Sequence, residues 1–477
     1  MPVARSPHDL RGPWPVGATI DRASPPDLVM LAMDTGPVPQ QLGALLFLDN
    51  GSEPDPDAML RVIAHRATTI PRLRQRLVWP PAGCGRPVWI DDPGYQADQH
   101  IRLLRCPAPG DEQAVLDLLT GIVTTPLPLT SPLWTAVLVT ELADGGSAVI
   151  FVLHHVLADG IGGLAVLARL VDQSQRPAES VVKTMSDGTF PPTDPATFPA
   201  PAPSWAMLAA DAQSQRRAAL SRLGWTIRGL RTCLSGAGGW HAPAAAPCSL
   251  IARTGAHRRL AVARADLGAL RKASHRRGGT VNDALLAAVT GALGALLERR
   301  GEHVTTFRVT VPVAARKTPS GAVLGNEVVP LVVGLPADGD AAQRVGRISV
   351  IVRAARAELT GPPLVVLLGP VFQAIAGLRL YRVYLNHQRR FHTLVSNVKG
   401  PKAMVSIGGV PVRELVGVSV AESGNVAVNF VALSYAGTLT VTIVAEPNLV
   451  PDLPELASLL QAELDALTGS ARSTSAE

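Results

Sequence analysis

The residues with the clearest chemical capacity stand at 154–160, His-His-Val-Leu-Ala-Asp-Gly. Imidazoles titrate near neutrality, so either histidine could take and return a proton. The aspartate at 159 could brace the turn or pair with a cation. A metal site is disfavoured, because adjacent residues of a strand point to opposite faces and a third ligand is missing nearby. The sequence is therefore read as holding no metal. Two readings of the residues stay open: a catalytic base presented at a strand end, or a pair of hydrogen-bonded structural histidines. Gly160, Gly162 and Gly163 would let backbone come close to a ligand or a neighbouring helix.

The elements around the pair decide how it can be presented. Residues 134–142 and 147–153 are β-branched runs separated by Ala143-Asp144-Gly145-Gly146, which predicts a hairpin whose second strand runs into His154. A helix is predicted from Gly160. Upstream, 42–49 reads as a strand and the segment after Asp55 as a helix ending near Pro71. Residues 174–204 are rich in Pro, Ser, Thr and Asp and read as a crossover, with a helix from Trp205. Beyond 250 a second set follows: a strand leading into a helix near 259–266, a helix capped by Thr280 and ending at Gly301, a strand at 305–315, and a hairpin turning at Ala436-Gly437. The two mixed α/β halves suggest a pseudo-duplicated architecture. The expected division is 1–178, a connecting region 179–249, a second domain 250–470 and a disordered tail 471–477.

The chain has 477 residues, 47% hydrophobic and 17% charged, enough for more than one core. Aromatics are only 4%, so an apolar site would be lined by aliphatic side chains. The net charge of +6 comes almost wholly from arginine and suits a phosphorylated co-substrate or an anionic membrane surface. Nucleic acid is not expected, for want of a basic tract interleaved with aromatics. Cys84, Cys106, Cys233 and Cys248 form no CxxC pair and read as cytosolic thiols. The apolar run 363–380 is interrupted by Gly369, Pro370 and Gln373 and reads as a buried or interfacial helix. The following Arg379, Arg382, Arg389 and Arg390 fit either an interfacial segment or a solvated basic face.

His-His-x-x-x-Asp-Gly resembles the motif of acyltransferases with a chloramphenicol-acetyltransferase-like fold. Further blocks, in order, resemble the bacterial wax ester synthase/acyl-CoA:diacylglycerol acyltransferases. They are ASPPDLVMLAMDTG (23–36), PLW (132–134), VNDALLA (281–287), VPVAAR (311–316), GNEVVP (325–330), SNVKGP (396–401) and the closing strands 426–452. Lys399 replaces the proline usual in the SNVPGP block. The resemblance implies two chloramphenicol-acetyltransferase-like domains, each a mixed sheet with flanking helices, and a substrate tunnel between them.

It also implies the chemistry. A fatty acyl group would pass from acyl-CoA to diacylglycerol or a long-chain alcohol. His155 would be the general base, with His154 supporting it and Asp159 and Gly160 completing the catalytic turn. Asp159 would pair with an arginine, for which Arg316 is the candidate. Asn282, near a helix N-terminus, is a candidate oxyanion donor, although Asn282 and Asp283 could equally cap that helix. Ser396 and Asn397 could line the same channel, and Pro132, Leu133 and Trp134 are placed beside the tunnel. Acyl-CoA is a co-substrate and no permanently bound cofactor is implied. The expected location is cytoplasmic, with peripheral contact to the inner membrane face or lipid droplets. Two alternatives are an acyltransferase of specialised lipid or polyketide metabolism and a catalytically idle lipid-binding protein of the same fold.

Overall fold

In the chain, α1 (Pro25–Met33) leads into β1 (Gln41–Leu48), and α2 (Pro56–Thr68) and α3 (Pro71–Arg74) into the two-stranded β2 (Gln75–Val78) and β3 (Val88–Asp91). The computed structural model describes residues 20–34, 36–49, 55–172, 198–221, 244–314, 328–357, 380–420 and 424–469. Arg316, most of the proline-rich stretch, the apolar run as far as residue 379 and the tail lie outside the described residues.

Proline sits in the first turn of α1, α2 and α3, where no intrahelical N–H is lost. α1 is fixed further by a reciprocal capping box between Ser24 and Asp27. β4 (Ile101–Arg105), α4 (Glu112–Thr124), β5 (Trp134–Thr140), β6 (Ala148–His154) and α5 (Gly160–Leu170) complete the first half, and α6 (Trp205–Ser221) follows. The second half holds β7 (Arg259–Asp266), α7 (Leu267–His275), α8 (Val281–Arg299), β8 (Thr306–Ala314), β9 (Val328–Pro336), α9 (Ala341–Ala357) and α10 (Leu380–His387). It closes with β10 (Thr393–Lys399), β11 (Ser406–Ile407), β12 (Val410–Val420), β13 (Val428–Tyr435), β14 (Thr438–Ala445) and α11 (Leu453–Thr468).

Two six-stranded sheets form, in the orders β11-β12-β1-β6-β5-β4 and β7-β14-β13-β10-β8-β9. Each is mixed, and the two share a pattern. β4 lies parallel to β5, which pairs in a hairpin with β6, which pairs antiparallel with β1. Likewise β10 lies parallel to β13, which pairs in a hairpin with β14, which pairs antiparallel with β7. The mixed α/β, pseudo-duplicated architecture is thus written in the strand order. The expected boundary needs one correction: residues 406–420 fall within the assigned second domain, yet β12 pairs with β1 and completes the first sheet. Their apolar face finds its buried surface there and not at home.

Side-chain alternation explains why β5 and β6 are apolar throughout. Leu138, Phe151 and Leu153 point into one core, and Val137, Ile150 and Val152 into another on the opposite face. Both cores draw on the second half as well, through Leu433 and Tyr435 in the first and Leu260 and Val444 in the other. A third core surrounds α8. Among the described residues α8 is the one helix long and apolar enough to cross a membrane, but 72% of its apolar window is buried inside the molecule. It is a core helix, with packing on every side.

The crossing segment is pinned to the first half by Asp172, just beyond α5. Its carboxylate accepts from the Gly408 N–H (3.2 Å), the Gly409 N–H (2.8 Å) and the Arg66 guanidinium. Gly408 and Gly409 both take positive φ, 57° and 83°, which the tight β11–β12 turn requires. Burial pushes the Asp172 carboxyl up, but the Gly409 N–H, Arg66 and the Gly408 N–H outweigh it and hold it below the usual carboxylate range. A depressed folded-state pKa gives stability that is full above the unfolded value near 3.9 and is lost as pH falls through the lower folded value. Asp172→Asn is therefore expected to lower the thermal midpoint at pH 7 and to lower it less at pH 3. An equal shift at both pH values would show that the carboxylate charge does not matter.

Candidate active site

At the end of β6 the backbone is held from both sides. The His154 N–H donates to the Leu133 carbonyl (3.0 Å) and the His155 N–H to the Gln40 carbonyl (2.8 Å). The strand ends at His154, and His155 is the first residue of the turn that follows. His154 is 1% exposed. Its Nδ1 accepts the Val156 N–H at 3.0 Å, so the ring proton is on Nε2, which donates to Asp34 Oδ2 at 3.0 Å. Both ring nitrogens are committed. His154, placed among the catalytic residues from its sequence, is a clamp in this geometry and has no nitrogen left for proton transfer. His155, next in the chain, is half-buried at the start of the turn.

The turn after it is closed by the Leu157 N–H donating to the His154 carbonyl (2.9 Å). Asp159 is the N-cap of α5: its Oδ1 accepts the N–H groups of Ile161 (3.0 Å) and Gly162 (2.9 Å). The aspartate thus organises the turn through the backbone. Gly160 has a packing reason: a Cβ there would lie 3.0 Å from Val398 Cγ2 on β10. The start of α5 is seated against the second half of the chain at this point.

From the second half, Thr280 and Asp283 form a capping box at the start of α8. Asp283 Oδ2 accepts both the N–H and the hydroxyl of Thr280 at 2.8 Å. Asp283, named as a site candidate, is therefore a capping residue, because its carboxylate is occupied where it stands. Asn282 differs. Its Oδ1 accepts from Asn397 Nδ2 at 3.4 Å, while its own Nδ2 is buried without a hydrogen-bond partner. A buried donor left unmade costs about 1–3 kcal/mol, so such atoms are uncommon without a use. Ser396 and Asn397 lie on β10 beside Val398, half-buried and exposed respectively. The strand therefore touches Gly160 through one residue and Asn282 through the residue before it.

Pro132, Leu133 and Trp134, the candidates placed beside a tunnel, lie in the core. Pro132 is buried, and Leu133 and Trp134 are 0% and 1% exposed, leaving no surface to line an open path. Trp134 Nε1–H donates to the Leu73 carbonyl (2.6 Å), and the ring stacks on His100 at 4.9 Å. Burial lowers the pKa of His100, whose Nδ1 meets the Trp134 carbonyl at 3.0 Å. The sequence reading passed over Asp34 and Gln40. Asp34 lay inside the 23–36 block as its last charged residue. Gln40 acts through its backbone carbonyl, which no residue type reveals.

Comparison with known proteins gives a consistent result. The profile of the wax ester synthase/diacylglycerol acyltransferase catalytic domain matches residues 23–285, and that of the C-terminal domain of the same family matches residues 324–468. A probable diacylglycerol O-acyltransferase of Mycobacterium tuberculosis H37Rv is 29% identical over 427 residues, 87% of this chain and 88% of that protein. The wax ester synthase/diacylglycerol acyltransferase structure from Marinobacter aquaeolei VT8 superposes with a TM-score of 0.65 at 20% identity, covering 94% of this chain and 99% of that one. The starter condensation domain of rhizomide synthetase, solved in complex with C8-CoA and Leu-SNAC, gives a TM-score of 0.56 at 16% identity over 95% and 96% of the two chains. These two likenesses establish the fold.

Asp159 separates capping from charge. Asn caps a helix about as well as Asp, whereas Ala leaves two N–H groups without the cap and costs about 0.5–2 kcal/mol. Asp159→Ala is expected to lower the thermal midpoint, and Asp159→Asn to keep it near wild type. An equal loss in both variants would show that the charge carries the role.

Proposed function

The chain belongs to the wax ester synthase/diacylglycerol acyltransferase family and is an acyl-CoA-dependent O-acyltransferase; we propose that His155 is its general base and that diacylglycerol or a long-chain alcohol is its acceptor. The observation that carries the reading is the division of labour in the histidine pair. His154 is locked through both nitrogens, and His155, half-buried, follows it in the turn that leaves the same strand.

In the proposed reaction the His155 imidazole takes the hydroxyl proton as the alcohol oxygen attacks the thioester carbonyl. The tetrahedral intermediate collapses with cleavage of the C–S bond, and the imidazolium returns the proton to the CoA sulfur. The products are an ester and free CoA. No acyl-enzyme and no resident cofactor are needed. A positioned base of this kind contributes about 10²–10⁴-fold. Asn282 Nδ2, a buried donor in the first turn of α8, is the proposed partner of the developing oxyanion. The names of the relatives, diacylglycerol O-acyltransferases, support diacylglycerol as acceptor. Both substrates carry long apolar chains, which favours a path between the two halves where α5 meets β10.

A cytoplasmic location with an anionic lipid surface as peripheral partner is part of the same proposal. α10 exposes Val383 and Tyr384, and Arg382, Arg389 and Arg390 accompany them. Arg308 lies beside Arg390, its Nε–H donating to the Arg390 carbonyl at 2.8 Å. Apolar and basic side chains together suit the headgroup boundary of an anionic bilayer. Val383→Glu is expected to reduce co-sedimentation with phosphatidylglycerol vesicles. Equal sedimentation of variant and wild type would place the contact elsewhere.

The function is tested with palmitoyl-CoA offered to the purified protein together with a diacylglycerol or hexadecanol. Wild type is expected to form ester, and folded His155→Ala to lose about 10²–10⁴-fold of turnover. Undiminished turnover in that variant would remove His155 from the mechanism.

A further inference from the structure

The histidine pair is suspended from a residue outside its own motif. Asp34 closes α1, where its N–H donates to the carbonyls of Met30 and Leu31. Its two carboxylate oxygens then make two separate contacts. Oδ2 accepts the His154 Nε2–H at 3.0 Å, and Oδ1 accepts the Gln40 N–H at 3.1 Å. Gln40, 1% exposed, uses its carbonyl to accept the His155 N–H at 2.8 Å. The adjacent Gln41 is the ladder partner of His154 between β1 and β6. One carboxylate thus reaches the first histidine through its ring and the second through its main chain.

We infer that Asp34 is the positioning residue of the catalytic turn, setting the His154 tautomer and the place of the His155 backbone together. The inference rests on His155 being the base. Only an acceptor with two oxygens can make both contacts. The Val156 N–H already occupies His154 Nδ1, so the ring must donate from Nε2, and the Gln40 N–H also donates. An asparagine has nearly the same shape but offers one acceptor oxygen and an NH₂ group. It would have to turn a donor towards one of these two donors and lose that contact. Glutamate keeps two acceptor oxygens at a greater reach. Asp34 touches no reacting atom in this scheme. Its effect passes to the imidazole by geometry, and a base displaced by about 1 Å can lose about 10²-fold in rate.

The test compares Asp34→Asn, His155→Ala and the double variant, with turnover counted per folded molecule from the calorimetric transition. Asp34→Asn is expected to lower kcat by about tenfold to a hundredfold and to leave KM for palmitoyl-CoA within about twofold. In the His155→Ala background the same substitution should cost no further turnover, because the side chain it positions is gone. A purely structural role would lower the thermal midpoint and leave kcat per folded molecule unchanged, and that outcome overturns the inference. So does an undiminished loss in the His155→Ala background. Should Asp34→Asn fail to fold, Asp34→Glu carries the same comparison under the same criteria. Full turnover in His155→Ala alone would instead bring down the base assignment beneath it, so the two failures are distinguishable.

Discussion

The molecule depends on one strand pairing made across its own sequence. β12 leaves the second half, runs antiparallel to β1 from Val412 against Leu48 to Val420 against Gln41, and then gives the chain back to β13. The backbone hydrogen bonds of that ladder cannot form unless the two halves are already in register. The same pairing fixes how β10 meets the start of α5, since β10 and β12 are joined by a short connection around β11. Gly160 against Val398 is the contact made there. The site is assembled from both halves because a strand is lent from one to the other.

The internal repetition clarifies why the chemistry is one-sided. In both sheets a hairpin is followed by a chain exit at the same topological position. After β6 that position holds the histidine pair. After β14 it holds Glu446, which is 2% exposed and whose carboxylate accepts from Asn448 Nδ2 and the Leu449 N–H, both at 2.9 Å. The second copy satisfies its own turn internally, and its β10 meets the start of α5 at Val398. The same scaffold position presents a histidine pair in one half and a locally capped carboxylate in the other.

Much of this was legible in the residues. The β5–β6 hairpin, the helix from Gly160 and the Thr280 cap each rest on local signals, namely alternation, turn glycines and capping side chains, and the structure reproduces them. His155 was legible as a candidate because the motif is contiguous. What escaped is non-local. The placement of β12 in the first sheet is decided by which apolar face completes which core, and periodicity cannot name the partner. Asp34 reads as one more charge at a helix end until His154 is brought to it from 120 residues away. Trp134 belongs to a motif block of the sequence, yet its burial is settled by Leu73, His100 and Phe151, which lie far from it in the chain.

The burial of α8 bears on how this protein is made. Val281–Arg299 has the length and hydropathy of a membrane span, and much of its cover comes from α9, β9 and α11, all later in the sequence. During synthesis the helix leaves the ribosome well before the elements that will shield it. Until then it is an apolar surface available to chaperones, to the insertion machinery or to other nascent chains. The capping box of Thr280 and Asp283 stabilises α8 as a helix from its own residues alone, so its secondary structure can precede its burial. A fragment ending between α8 and α11 would leave the helix without that part of its cover.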